Sequence, residues 1–202
     1  MSKSKPSYNF LPALLVGLIE GVIIMLALAC FFTGSGMSAS KIYLSLGAAL
    51  VFVSVLLGLG AYYTRKDELE QHEGESKILK IYQTLDIDEN LRQAMVTDSV
   101  AEAQLWEQEW KEGSNATGDL SPKVYGLSIL GGFLLGGLAT ILNCYFFELP
   151  DYAGLFFPFI LLGVLGFYKY KFSNQKPLSG FLIISLSGMA AAFAAYYAGG
   201  LF

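Results

Sequence analysis

Apolar residues in this chain follow neither a helical stripe nor a strand alternation. They fall into five long runs, at about residues 10–32, 42–63, 124–147, 152–168 and 178–198. A helix needs roughly 20 apolar residues to cross the hydrocarbon core of a bilayer, so the runs predict five transmembrane helices. The gaps between them hold helix breakers. Thr33 to Ser40 is rich in Gly and Ser, which predicts an antiparallel hairpin of the first two helices. Glu148-Leu-Pro-Asp151 separates the third run from the fourth, and Ser173-Asn-Gln-Lys-Pro177 the fourth from the fifth.

The one long polar stretch divides the chain into three parts: an N-terminal transmembrane hairpin (1–63), a polar insert (64–120) and a C-terminal three-helix transmembrane region (121–202). Within the insert, residues 64–83 run on from the second span and read as its helical extension, with Leu69, Ile78, Leu79 and Tyr82 as apolar positions. Asp86-Ile-Asp-Glu89 and Ser99-Val-Ala-Glu102 each have the spacing of a capping box that opens a helix, and Gly113 is placed to end the second. The expected architecture is an all-α membrane protein in which a three-helix module is inserted between transmembrane helices two and three. The N-terminal run, preceded by Lys3 and Lys5, superficially suggests a signal peptide. It exceeds the roughly 7–15 residues of such a core and more spans follow, so it reads as a retained helix.

Composition agrees: 54% of residues are hydrophobic and 15% charged. The charge is concentrated. Residues 64–120 hold fourteen of the seventeen acidic residues against six Lys or Arg, a local balance of −8 in a chain whose net charge is −4. Lys and Arg also set orientation, because positively charged loops stay in the cytoplasm. With a cytosolic N-terminus, twelve of thirteen fall inside and only Lys41 outside, which places the acidic insert in the cytosol and the C-terminus outside. The short termini without a targeting extension suggest a bacterial cell membrane rather than a vacuole. Cys30 and Cys144 both sit in apolar runs and read as small hydrophobes. The chain has no phosphate-binding loop, no Ser/His/Asp arrangement and no basic nucleic-acid patch, so neither an enzyme nor a nucleic-acid partner is expected.

Glu20 stands about halfway along the first span. An isolated carboxylate there costs about 2.5–3.5 kcal/mol on insertion scales, so it calls for a partner, a cavity or water. It is either a ligand on an ion or proton path or a protonated side chain bonded to a neighbouring helix. Gly17 and Gly21 flank it with the small-xxx-small spacing that lets another helix approach closely. The glycines of residues 131–137 and the alanines of 190–195 form further small-residue faces, suited to packing or dimerisation. In the insert, Glu68, Glu70, Glu73 and Glu75 crowd together with His72, and Glu102, Glu107, Glu109 and Glu112 follow later. Hard oxygen ligands with one imidazole suit Mn²⁺ or Fe²⁺. The same residues also read as a solvated face laced by i,i+4 pairs such as Glu73–Lys77 and Glu107–Lys111.

The order of parts, two helices, an acidic helical module, then three helices, resembles the vacuolar iron transporter (VIT) family. Glu20-Gly21 resembles the family's Asp-Gly in helix one, and Gly58-Leu-Gly-Ala-Tyr62 its Leu-Gly-Glu-Tyr at the end of helix two. Ile81-Tyr82 with Leu85 and Ala94 resembles the module's helical turns; residues 131–138 resemble the Gly-rich run of helix three and residues 190–196 the family's ending. The resemblance implies a homodimeric divalent-metal transporter that moves Fe²⁺ or Mn²⁺ out of the cytosol in exchange for protons. Its metal residues would be Glu70, Glu73, Glu75, Glu107 and Glu109 for capture and Glu20 at the dimer axis; the metal is cargo, and no bound cofactor is implied. Proton exchange fits carboxylate ligands, which must lose their protons to bind metal. The chain departs from the family where Ala49, Leu57 and Ala61 replace an acidic residue, a Met and a Glu, and where the module's Met pair gives way near Trp106 and Glu107. Those departures keep a second expectation alive, a membrane scaffold or metal sensor whose acidic module docks a cytosolic partner.

Overall fold

The computed structural model describes residues 10–84, 120–147 and 152–201, with side chains placed for 10–70, 120–147 and 154–201. Five helices make up these residues: α1 (Leu11–Gly34), α2 (Ala39–Thr84), α3 (Pro122–Phe146), α4 (Tyr152–Phe172) and α5 (Pro177–Gly199). Each contains a stretch long and apolar enough to cross a membrane, which makes the protein a multi-pass membrane protein. α2 extends well past its apolar part to Thr84, as the continuous pattern through residue 83 predicts. The two capping-box helices of the insert lie outside the described residues.

Local chemistry fixes the helix ends. α1 stops in a Schellman motif: Gly36 adopts φ +70°, its N–H bonds the Thr33 carbonyl at 3.0 Å, and the Met37 N–H bonds Phe32 at 3.2 Å. α4 stops the same way on a non-glycine residue. Asn174 has φ 53°, its N–H bonds Lys171 at 3.3 Å, and Gln175 bonds Tyr170 at 2.9 Å. Proline in the first turn then starts α1, α3 and α5, where its missing N–H costs nothing.

α1 is the hub. Every residue from Pro12 to Gly34 is buried or half-buried, although nothing in its evenly apolar sequence marks one face as inner. α3 lies alongside α1 in parallel, with Gly17 and Gly21 against the backbone of Ile129 and Phe133, and Gly132 and Gly136 against that of Leu14 and Leu18. α5 runs parallel on another side, where Gly34 meets Tyr196 and Gly199 meets Phe31. α2 packs antiparallel on α3 at Gly58 and Gly126, and α4 packs antiparallel on α5 at Gly166 and Gly180. α4 also closes on α1 through Leu162 and Leu165, which share an apolar cluster with Leu15, Ile19 and Val22. Lipid tails are as apolar as these side chains, so contact between backbones, not escape from water, selects the neighbours.

The buried hydroxyl groups are satisfied within their own helices. Ser54, Ser128, Thr140 and Ser185 each bond a carbonyl in the preceding turn of their own helix at 2.6–3.1 Å. Pro158, fully buried inside α4, has no N–H for the carbonyl four residues earlier, and Asn143 of α3 supplies the missing donor: its Nδ2 bonds the Gly154 carbonyl at 2.7 Å. Cys30 is buried and Cys144 half-buried, and both are free thiols.

Candidate functional site

The topology brings the start of α1, α3 and α5 to the same end of the bundle as the polar extension of α2 and the last turn of α4. Arg65, Lys66, Lys123, Lys169, Lys171 and Lys176 all gather at this end, whereas Lys41 stands at the other. Glu20 lies in the half of α1 nearer this end. No other acidic residue lies in 11–63, 122–147 or 154–201, so Glu20 is the one carboxylate set within the apolar spans.

Its setting follows from the glycines around it. A Cβ at Gly17 or Gly21 would strike the carbonyl oxygens of Ile129 and Phe133, so the α1 and α3 backbones touch directly above and below the acid. Glu20 is half-buried beside that contact. It lies within electrostatic reach of Lys169, from the last turn of α4. Tyr125, near the start of α3, feels Glu20 and also Arg65 and Glu68 of α2. Four helices therefore contribute charge or a phenol to one region.

Arg65 is the unexpected member. Sequence reading places it in the polar helical extension of the second span, on the cytosolic side, yet it is only 3% exposed. Its Nη1 donates to Glu68 Oε2 at 2.9 Å. A guanidinium withdrawn from water needs such bonds, because desolvation otherwise outweighs its attractions. The adjacent pair differs: Lys66 Nζ lies 3.4 Å from Glu70 Oε1, and both side chains are largely exposed.

Of the predicted metal residues, Glu20 is on the central helix and Glu70 is on the exposed face of α2, in the i,i+4 pair just described. Glu73 and Glu75 lie on α2, but their side chains are outside the described residues; Glu107 and Glu109 lie wholly outside them. Among the described residues no three His, Cys, Asp or Glu side chains converge as a metal-binding group. Glu20 and Tyr125 are oxygen donors from adjoining helices. Leu57 and Ala61 of α2, standing where the family resemblance places polar groups, instead pack against apolar clusters that include Phe133 and Ile129. Sequence reading missed Lys169 and Tyr125 as neighbours of the acid, and Arg65 as a neighbour of Tyr125, since no spacing along the chain signals a meeting of four helices.

Five apolar helices with charges gathered at one end and one intramembrane carboxylate define a polytopic membrane protein. The VIT family model matches residues 63–200, more than half of the chain, and the protein belongs to that family. The match covers the insert and the last three helices; α1 and Glu20 lie before it. A search of curated proteins finds no match.

Proposed function

We infer that the protein carries a divalent metal, Fe²⁺ or Mn²⁺, out of the cytosol in exchange for protons, working as a homodimer with the charged end of the bundle facing the cytosol. One observation carries the reading: a half-buried carboxylate on the hub helix of a VIT-family bundle, in the half of the span nearer the acidic insert. A charged group at that depth is retained where it serves a path. The carboxylates of the insert, Glu70, Glu73, Glu75, Glu107 and Glu109, would concentrate the cation at the mouth. Glu20 would receive it in the membrane and take up a proton when the metal leaves, since a proton and a metal ion compete for the same carboxylate oxygens. The gathering of Lys and Arg at the insert end supports a cytosolic placement of that end.

The test is uptake of Mn²⁺ and Fe²⁺ into proteoliposomes under an imposed proton gradient, with Glu20→Ala alongside. Gradient-dependent uptake abolished in the variant supports the reading; uptake equal in both removes Glu20 from the mechanism. A second reading, a metal sensor or docking scaffold, is favoured by the apolar packing of Leu57 and Ala61. It predicts metal binding by the protein without flux.

A further inference from the structure

The α2–α3 seam opens sideways into a groove of about 280 Å³ that belongs to neither the Glu20 region nor the bundle interior. Gly58 and Gly126 bring the two backbones together, and Val55, Leu59 and Leu127 form part of its lining. These three side chains are 45%, 51% and 67% exposed, so the groove faces the membrane. At its insert end stand Tyr62 and Lys123. Lys123 is exposed, and among the described residues it has no acidic partner within ion-pair distance.

The dimensions match one leaflet. From Lys123 to Leu130, both of which line the groove, α3 rises about 10 Å at 1.5 Å per residue, against roughly 15 Å for half of a hydrocarbon core. Lys123 is the second residue of α3, at the level where a span leaves the hydrocarbon. Tyr62 beside it has the amphipathic ring typical of that boundary. An apolar slot of this length, ending in an exposed ammonium at headgroup level, is complementary to a lipid with an acyl chain and an anionic head. We propose that the groove is a binding site for one anionic phospholipid of the insert-side leaflet, its acyl chain lying along Val55, Leu59 and Leu127 and its phosphate on Lys123.

The site is tested by native mass spectrometry of the full-length protein in detergent, titrated with phosphatidylglycerol or with phosphatidylcholine of the same acyl chains. The expected result is one phosphatidylglycerol bound about fivefold more tightly than phosphatidylcholine, the discrimination that one interfacial lysine supplies. Lys123→Glu should abolish that preference, and Leu59→Trp, which fills the slot from an exposed position, should weaken binding of both lipids. Equal affinities in the wild type, a preference that survives Lys123→Glu, or lipid binding unchanged in Leu59→Trp would each overturn the proposal. A dimer that dissociates in Leu59→Trp while the lipid count holds would assign the groove to a second copy of the chain instead.

Discussion

The Nδ2 of Asn143 donates to the carbonyl of Gly154 at 2.7 Å, across from one helix to the next. That carbonyl is the one Pro158 leaves without an intrahelical donor. A proline in the middle of a membrane helix would otherwise strand a backbone oxygen in a medium without water. The pair therefore joins α3 and α4 at the end of the bundle away from the insert and permits the buried proline.

Asn143→Leu should accordingly destabilise the protein by about 1–2 kcal/mol, the upper range for interhelical hydrogen bonds in membranes. In a Pro158→Ala background the cost should at least halve, because the substituted residue's own N–H can reach Gly154. Thermal unfolding in detergent of the two single variants and the double variant gives the coupling; purely additive losses would refute it.

The glycine contacts between α1 and α3 predict a sharp positional contrast. Gly17→Val or Gly21→Val pushes a side chain into the backbone of α3, and overpacking that cannot relax should cost about 3 kcal/mol or more. Gly131, only a few residues from the contact, meets nothing within 4 Å at its Cβ position. Gly131→Ala should be neutral or gain up to about 1 kcal/mol through helix propensity. The fraction of monodisperse protein and its midpoint of thermal unfolding measure both; a tolerated Gly21→Val would show that the helices can part.

Two neighbouring ion pairs on α2 should behave differently. Glu68→Ala leaves the buried Arg65 short of a bond and should cost about 1–2 kcal/mol, discounted because Glu68 itself is 44% exposed. Glu70→Ala only frees an exposed lysine and should cost less than about 0.5 kcal/mol. Equal effects in the same unfolding assay would mean that burial of Arg65 does not strengthen its pair.

Lys169 places a positive charge near the acid proposed to accept a divalent cation. Its field opposes the metal, so Lys169→Gln should lower the apparent KM for Mn²⁺ uptake by about threefold, a modest Coulomb effect in a partly wetted site. Lys169→Arg should behave like the wild type. A higher KM for Lys169→Gln would indicate that the lysine assists entry rather than opposing it.

Much of this architecture was readable along the chain. Five runs of near-bilayer length and the breakers at Gly36 and Asn174 with Pro177 mark the spans, because hydropathy and turn chemistry act over a few residues. The single carboxylate, Glu20, stands out for the same reason: its cost depends on local depth alone. Gly17 and Gly21, read as a small-residue pair, do meet another helix.

The arrangement of the helices was not readable in this way. α1 is apolar all round, and a helix of that kind gives no signal of whether lipid or protein surrounds it; only the packed bundle makes it the hub. Arg65 stands in the polar extension of the second span and is nonetheless buried, since its surroundings are fixed by how the helices come together. Lys169 and Tyr125 reach the region of Glu20 from helices more than 100 residues away in sequence. The sequence by itself determined which segments enter the membrane and which residues are out of place there, through the free energy of transfer of each segment. Tertiary structure decided what those residues meet, because in lipid the choice of neighbour rests on backbone fit between glycine-bearing faces, and that fit exists only once the helices are side by side.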